Sequence, residues 1–362
     1  MCDSHKKDFV QIHMHTSASN LDGAARVGDL VKRAKEFGHK AMAITDHGSP
    51  CGLLDFYRSC KKSDIKPILG LEFYITNDLT ARVANKGREL DDMDYHQSIF
   101  IKDKEGYKNF NYLTYVANTD GFYYKPRIDF DLLFSKKSGL MATSSCIASK
   151  INRLITAGRL KEAEDLFLQF RSNFGDDFYG EIQLNELNYK MSELTGKTFN
   201  IDQLHNNKFI IDMCNKYDVP IMIGGDVHYL DKGDADLQDA IINSKRQAKE
   251  GEEGFQIHAR HLYYHDVSDY YDFNKNFGYD YDVKFLEQCF ENSVNFSKKA
   301  NFDFEFGKYH LPKINTAGKG SDEFIDEVTW AGLIANIEIE RKYFPNSYNN
   351  EEIERIETQV EY

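Results

Sequence analysis

Short apolar segments alternate with amphipathic segments from about residue 9 to about residue 224, and this alternation limits the folds available to the chain. Seven apolar segments have the length and the branched or aromatic side chains of strands: residues 9–16, 40–45, 66–75, 97–101, 140–144, 178–184 and 220–224. Helical spacing is present in the segments 25–37, 53–62, 107–117, 147–174 and 201–217. Because a helix returns the chain to the same end of a sheet, we expect parallel strand pairing. The sequence therefore predicts an α/β protein.

The strand-like segments stop after Tyr229. Helical spacing is present in residues 234–249, 285–300, 322–343 and 351–362. A linker with Gly318 and Gly320 separates the last two helices from the others. We therefore expect a first domain over residues 1–300, with its functional site within residues 9–230. Residues 301–362 are expected to form a linker and a mainly helical extension.

Composition excludes several classes of protein. No run of about 18 apolar residues is present and the N-terminal residues are polar, so we expect no membrane segment and no secretory signal. The six cysteines form no CxxC pair, which is typical of reduced, cytoplasmic thiols. The formal net charge of −13 argues against a surface that binds DNA broadly, because phosphate neutralisation needs basic side chains. Any contact with nucleic acid is therefore expected to be local.

Histidines and acids stand at the ends of the strand-like segments. His13 and His15 are two residues apart, so in a strand both rings face the same side. Two surface histidines would give the same pattern, and Asp22 in the following loop would by itself be a turn residue. The later segments end in further polar residues: Asp46, His47, Glu72, Glu181, Gln183, Asp226 and His228.

The placement of these residues indicates both a fold and a chemistry. Carboxyl ends of parallel strands meet at one mouth of a (β/α) barrel, where such barrels place their active sites. We therefore predict a distorted (β/α)7 barrel of the TIM type rather than an open sheet. Imidazoles and carboxylates are ligands for Zn, Mn or Fe, and a cluster of such ions supplies both a nucleophilic hydroxide and positive charge for phosphoester hydrolysis.

Longer stretches of the sequence resemble a known family. Residues 9–48 followed by KPILGLEFYI resemble the opening of a PHP (polymerase and histidinol phosphatase) domain, in the form fused to bacterial or phage replicative DNA polymerase III alpha subunits. Further similar stretches are HQSIFIKDKEGYKNF, GFYYKPRIDFDLL, ATSSCIAS, FYGEIQLN and GGDVHYLDKGDADLQDAI. The resemblance covers about residues 9–315 and extends more faintly beyond them.

The resemblance implies three divalent metal ions (Zn, Mn or Fe) held by nine residues. One ion would be held by His13, His15, Glu72 and Asp226; a second by Glu72, His96 and Cys146; the third by Asp22, His47 and His228. His13, His15, Glu72, Asp226 and His228 are expected to carry catalysis. The residues alone would leave His96 and Cys146 unassigned, because a single cysteine is usually a small core residue.

Other residues are assigned supporting roles. Asp46 and Glu181 are candidates for orienting the ligating imidazoles, although hydrogen bonding at a strand end explains them equally well. Lys125 and Arg127 are candidates for contact with a phosphate or a DNA strand. Tyr123 or Tyr124 would then stack on a base, and a solvated loop is the alternative.

The resemblance implies a 3′–5′ exonuclease of the proofreading type that acts on a primer 3′ end. The catalytic aspartates of a polymerase palm are absent, and EEIERIETQVEY resembles the segment before that palm. We therefore expect a shortened or naturally split polymerase, whose partner is the remaining part or a separate polymerase chain. Two alternatives stay open: a free-standing phosphatase for a small phosphomonoester, and an inactive scaffold that stabilises a polymerase.

Overall fold

The structure, a computed structural model, describes residues 8–82, 90–186, 188–192, 198–246, 259–308, 314–343 and 350–360. These residues divide into two compact units, Met1–Asp303 and Phe304–Tyr362. The functional residues predicted from the sequence all fall in the first unit.

A strongly curved sheet forms the centre of the first unit. The described strands are β1 (Ala41–Ile44), β2 (Lys66–Thr76), β3 (Tyr95–Ile101), β4 (Arg127–Asp129), β5 (Leu140–Thr143), β6 (Phe178–Ile182), β7 (Asn188–Ser192), β8 (Thr198–Asp202) and β9 (Ile221–Ile223). The sheet has the order β1-β2-β3-β5-β6-β9, with β4 added beside β2. Strands β7 and β8 form a separate hairpin that the sequence did not predict.

Residues 9–15 join the two edges of this sheet. Gln11 forms a parallel bridge with Met42 of β1, and Met14 forms one with Val227, which follows β9. Backbone hydrogen bonds support both bridges, with 2.7 Å from the His15 N–H to the Val227 carbonyl and 2.8 Å from the Ala43 N–H to the Gln11 carbonyl. The predicted distorted seven-stranded barrel is therefore confirmed.

The expectation of parallel pairing throughout is wrong for β3. This strand pairs antiparallel with both β2 and β5, whereas β1–β2, β5–β6 and β6–β9 are parallel. The described residues between β2 and β3 contain only the single turn Leu90–Asp92 and no crossover helix. The chain therefore enters β3 from the end of the barrel at which β2 finished.

Helices surround the barrel and continue after it. The first unit contains α1 (Val27–Phe37), α2 (Leu53–Lys62), α3 (Lys104–Asn118), α4 (Phe130–Ser135), α5 (Lys150–Thr156), α6 (Leu160–Phe174), α7 (Gln203–Tyr217), α8 (Ala235–Arg246), α9 (Val267–Asn276) and α10 (Val283–Lys299). The second unit contains α11 (Ser321–Tyr343) and α12 (Asn350–Val360), so the predicted helical extension is present. No helix within the described ranges combines the length and the apolar character needed to cross a membrane.

Two helix boundaries differ from the prediction. The helix expected over residues 147–174 is two helices, α5 and α6, because the chain turns at Gly158 with a φ of +73°. That left-handed conformation is easy for glycine and costly for other residues. The helix predicted over residues 234–249 corresponds to α8, which covers Ala235–Arg246. Residues 247–249 lie outside the described part of the chain.

An apolar floor closes one end of the barrel. Its residues are buried and come from the inward positions of the strands and from α10: Val10, Ile12, Ala41, Ala43, Ile68, Phe100, Met141, Tyr179, Met222, Phe296 and Ala300. The ring of Phe296 packs edge-on against Phe100 and Tyr179, with both centroid distances at 5.0 Å. On β2, β3 and β6 the inward positions are therefore apolar at the floor and polar towards the other end.

Candidate metal centre

The polar mouth of the barrel follows from the two-residue period of its strands. Ile68 belongs to the floor, and Glu72 lies four residues further along β2 on the same face. Tyr179 and Glu181 are related in the same way on β6, where they are two residues apart. Strand β3 runs in the opposite direction. Its first residues, including His96, therefore lie at this same mouth, whereas Phe100 lies at the floor. Strand direction and phase thus bring the donors together.

The first donor group contains two imidazoles and two carboxylates. Glu72 Oε2 lies 3.0 Å from Nε2 of both His13 and His15. Asp226 Oδ1 lies 3.3 Å from Nε2 of His13 and 3.2 Å from that of His15. One ligand atom from each of these four residues lies within 4.8 Å of the others, a spacing that fits one metal ion. This is the set that the family resemblance implied for the first ion.

The second donor group uses the other oxygen of Glu72. Glu72 Oε1 contacts Nδ1 of His96 and lies 3.5 Å from Cys146 Sγ. Cys146 Sγ lies 3.9 Å from His96 Nδ1. His47 also belongs to this group, because its Nδ1 is 3.7 Å from Glu72 Oε2 and it clusters with Glu72 and His96. Glu72 therefore has one carboxylate oxygen on each of two adjacent groups.

The third donor group consists of Asp22, His47 and His228 and also lies next to His15. Asp22 Oδ2 is 3.1 Å from His47 Nε2, and Asp22 Oδ1 is 3.7 Å from His228 Nε2. The rings of His47 and His228 both lie against that of His15, with centroid distances of 4.1 Å and 4.3 Å, and their own centroids are 5.7 Å apart. The structure thus brings all nine predicted ligands into one connected cluster, and it adds His15 to the neighbourhood of this third group.

Buried ring nitrogens test whether this cluster suits metal ions. Nε2 of His15 and both ring nitrogens of His47 are buried, and although carboxylate oxygens lie 3.0–3.7 Å from them, none of these contacts in the described part of the chain has the geometry of a hydrogen bond. Leaving a buried polar atom unpaired costs about 1–3 kcal/mol, so such atoms need another partner. Imidazole, carboxylate and thiol donors together suit Zn, Mn or Fe. The residues present therefore fit a group of divalent ions.

The carboxylates of the cluster are held in their charged form. Burial opposes ionisation, but the surrounding histidines outweigh it, and the pKa values of Asp22, Glu72 and Asp226 all lie below their usual range. Negative charge concentrated in a buried mouth attracts cations, and an ion can replace the protons that balance this charge.

The imidazoles divide into two classes. Burial opposes the charged form of His13 and His15, yet neighbouring carboxylates raise the pKa of His13 well above its usual value and that of His15 to about 9. For His47, burial together with the positive charge of His15 lowers the pKa to about 4. Burial and nearby carboxylates raise the pKa of the Cys146 thiol. Metal binding at this site consequently requires proton release from the thiol and from His13 and His15.

Glu181 contacts a ligating imidazole directly. Its Oε1 accepts a hydrogen bond of 2.6 Å from Nδ1 of His13, and its Oε2 accepts one of 2.6 Å from the hydroxyl of Thr143. The backbone makes room for this pair at Gly224, where a Cβ atom would lie 2.1 Å from Glu181 Oε1. A buried carboxylate behind an imidazole fixes the tautomer and the orientation of the ring.

Asp46, a candidate for orienting a ligating imidazole, is linked to His15 through Ser19. Asp46 accepts hydrogen bonds from the backbone and hydroxyl of Thr16, at 2.6 and 2.9 Å, and from the hydroxyl of Ser19 at 2.7 Å. Ser19 is in turn 3.2 Å from Nδ1 of His15. Asp46 therefore acts on the imidazole through Ser19 rather than by contact, because its oxygens are used in holding the loop after His15.

Sequence reasoning missed three supporting residues: Ser19, Thr143 and Gln238. Gln238 on α8 is 1% exposed, and its side-chain amide donates a 3.0 Å hydrogen bond to Asp22 Oδ1. Ser, Thr and Gln are common everywhere, so no spacing signal distinguishes them. Only the buried position of each next to a donor identifies its role.

The two residues predicted to contact phosphate, Lys125 and Arg127, differ in their surroundings. Arg127 is 1% exposed, and its guanidinium donates to the carbonyls of Gly121 and Ala81 at 3.1 Å each. This placement argues against the DNA contact predicted for Arg127, which instead secures the chain before β4. Lys125 lies at the rim of the mouth, with its Nζ 4.1 Å from the ring centre of Tyr74.

The family model for the PHP domain matches residues 11–185, which contain seven of the nine donors. Residues 11–185 belong to the PHP domain family. The remaining two donors, Asp226 and His228, lie beyond this match on the segment after β9.

Curated relatives match the chain well beyond the PHP domain. DNA polymerase III subunit alpha of Borreliella burgdorferi is 32% identical over 339 residues, which is 91% of this chain and 27% of that protein. DNA polymerase III subunit alpha of Aquifex aeolicus is 33% identical over 344 residues, covering 92% of this chain and 28% of that protein. The chain thus spans about a quarter of the length of these relatives.

Solved structures align less closely. A two-domain protein from Bacteroides vulgatus containing a predicted PHP-like metal-dependent phosphoesterase gives a TM-score of 0.36 at 15% identity, covering 62% of this chain and 53% of that one. An amidohydrolase from Chromobacterium violaceum gives a TM-score of 0.35 at 13% identity, covering 60% of this chain and 87% of that one.

Proposed function

We propose that this PHP domain hydrolyses phosphodiesters at the 3′ end of DNA, as a 3′–5′ exonuclease module of a DNA polymerase III alpha subunit. The observation that carries the proposal is the single mouth into which the three donor groups converge, with Glu72 shared between two of them. Adjacent ions at a shared carboxylate are the arrangement used to displace an oxygen from phosphorus. Similarity to curated alpha subunits over nine-tenths of the chain supports DNA as the substrate.

In this proposal the side chains of the protein hold and orient the ligands, and the ions supply the reactive chemistry. Bound divalent ions would make water a nucleophile at neutral pH and would neutralise the charge of a phosphodiester. His13, held by Glu181, and His15, held by Ser19, present their Nε2 atoms to the mouth in fixed orientations. Preorganised donors avoid reorganisation during the reaction, which is the main contribution of such a site to the rate.

The open side of the cluster faces the solvent. The side chains of Asp22 and His96 are 30% and 21% exposed, whereas those of His13, His15 and Glu72 are at most 1% exposed. A phosphodiester would therefore approach over Asp22 and His96. Because the net charge of the chain is −13, we expect no broad basic surface, and the bound ions would supply most of the attraction for the DNA strand.

We infer that three ions occupy the centre and that Zn, Mn or Fe fills it. The three donor groups support the number, and the mixture of imidazoles, carboxylates and a thiol supports the choice of metals. The partners proposed for the chain are a primer 3′ end and a polymerising segment or chain of the kind present in the curated relatives.

A nuclease assay on a mismatched primer tests this function. Nucleotide release should depend on Zn, Mn or Fe and should fall at least about 100-fold in His13→Ala, because one ion loses a ligand and Glu181 loses its partner. His205→Ala is the matched control, since His205 is an exposed histidine on α7. Release that is independent of metal, or unchanged in His13→Ala, would refute the proposal.

A panel of substrates separates the alternatives. Faster hydrolysis of small phosphomonoesters than of DNA ends would assign the domain to phosphatase chemistry. A metal-loaded protein with no activity on either class would favour a scaffold role.

A further inference from the structure

One loop at the rim of the metal centre presents aromatic side chains to the solvent. Residues 121–126 precede β4, which pairs with β2 at Tyr74 and Arg127. The side chains of Phe122 and Tyr124 are 52% and 71% exposed. Exposed apolar side chains that are grouped beside a polar site are typical of ligand-binding surfaces.

The loop is anchored next to the donors. A Cβ atom at Gly48, the residue after His47, would lie 2.9 Å from both Pro126 Cγ and the Tyr74 ring. The Tyr74 ring centre is 5.3 Å from that of His96 and 6.1 Å from that of His47. Lys125 places its Nζ 4.1 Å from the centre of the same Tyr74 ring. The loop tip is therefore separated from the donors of the second group by one aromatic ring.

Tyr123 and Tyr124 have different surroundings. The Tyr123 ring has the guanidinium carbons of Arg82 and Arg127 at 5.6 and 5.2 Å from its centre, so cations already cover it. Its N–H donates a 3.1 Å hydrogen bond to the Lys125 carbonyl, which draws the chain into a tight turn with Tyr124 at the tip. Of the two tyrosines expected from the sequence to stack on a base, Tyr124 is the one whose ring faces solvent.

The backbone at the tip is held in an unfavourable conformation. Tyr124 has a φ of +59°, in the left-handed region, where a bulky side chain is an outlier. Anchoring on both sides, by Tyr123 and by Pro126, holds this conformation. Such outliers persist where the surroundings fix them and are concentrated at ligand sites.

We propose that Tyr124 stacks on an unpaired nucleobase while Lys125 contacts an adjacent phosphate, so that the loop positions a single-stranded 3′ end over the metal centre. This inference rests on the proposed function and specifies the substrate form, namely an unpaired end rather than duplex. Stacking on an exposed ring tolerates any base, which suits removal of any mismatched nucleotide. The Lys125 ammonium, which lies over the Tyr74 ring beside the donors, gives the phosphate a local partner on an otherwise acidic protein.

Binding and turnover test the inference separately. Binding is measured with an oligonucleotide that has 2-aminopurine at its 3′ end and a hydrolysis-resistant terminal phosphorothioate, because stacking quenches 2-aminopurine fluorescence. Tyr124→Ala should weaken binding about tenfold and abolish the quenching, whereas Tyr124→Phe should stay within about twofold of the unchanged protein. Tyr115→Ala, which removes an exposed tyrosine from α3, is the matched control.

Turnover of methyl 4-nitrophenyl phosphate, a diester without a base, reports on the metal centre alone. Tyr124→Ala should leave that rate unchanged and should raise KM for a mismatched primer with little change in kcat. Equal binding and equal KM in Tyr124→Ala and the control would overturn the inference, and would assign the ring to a protein contact instead. Absence of turnover for both substrates in the unchanged protein would refute the proposed function, while the fluorescence titration would still decide the role of Tyr124.

Discussion

At the scale of single residues, burial has opposite consequences for histidines with different neighbours. His13 and His15 are buried among carboxylates, which raise the pKa of both imidazoles. His265 is buried among aromatic rings, with the centroids of Tyr263, Tyr270 and Phe273 at 4.5, 5.1 and 5.0 Å. Burial, with a smaller contribution from His261, lowers the pKa of His265 to about 3. The first kind of environment attracts cations, and the second excludes charge.

The lowered pKa of His265 predicts a contribution to acid sensitivity. Between pH 6.5 and about 3 the unfolded chain binds a proton at this residue and the folded chain does not, so stability decreases as the pH falls. At pH 5 the decrease amounts to about 2 kcal/mol relative to pH 7, because each unit of pH below the unfolded pKa contributes about 1.4 kcal/mol. His265→Phe should lose less stability than the unchanged protein over this interval, as measured by urea unfolding at pH 7 and pH 5.

The control for this prediction is His205→Phe, which replaces an exposed histidine of α7. Equal losses of stability in His265→Phe and the unchanged protein would show that His265 is protonated in the fold.

At the scale of elements, the sequence predicted six of the seven strands of the sheet and most of the donors. The seventh predicted strand, residues 9–16, forms only isolated bridges in the structure. Alternation within a strand identified His13 with His15 and Asp226 with His228, because that period is local. His96 gave no such signal. It stands at the beginning of β3, and only the reversal of that strand brings it to the mouth, which depends on pairing between distant segments.

Other features that the sequence did not predict also depend on a turn, a distant contact or a short element. The helix expected over residues 147–174 has apolar spacing throughout, and the spacing does not record the turn at Gly158 that separates α5 from α6. The role of Asp46 depends on Ser19, a contact across 27 residues that no local pattern encodes. Strand β4 and helix α4 were missed because each is short, at 3 and 6 residues.

The turn at Gly158 gives a prediction at this scale. Gly158 has a φ of +73° and open space where a Cβ would stand, so Gly158→Ala should destabilise the fold through the backbone alone, by about 1–2 kcal/mol. Gly233→Ala is the matched control, because Gly233 also has open space and lacks a positive φ. Thermal unfolding of both variants should show a loss only for Gly158→Ala, and an equal loss in both would contradict this reading of the turn.

At the scale of the whole molecule, the barrel combines an apolar floor with a polar mouth. The floor is closed by Phe296 of α10, a residue far along the chain from every donor. The mouth collects donors from residue 13 to residue 228, so no fragment of the barrel contains the complete centre. This arrangement explains why a metal centre built from these donors depends on the fold of the entire first unit.

The metal content of the purified chain and of Glu72→Gln, measured by elemental analysis after dialysis, tests this account most directly. Glu72 serves the first and second donor groups but not the third, which consists of Asp22, His47 and His228. We expect three divalent ions per chain, one for each donor group, and one remaining ion in a folded Glu72→Gln variant. A chain that retains less than one ion, or a variant with unchanged metal content, would contradict the claim that these side chains form a shared metal centre.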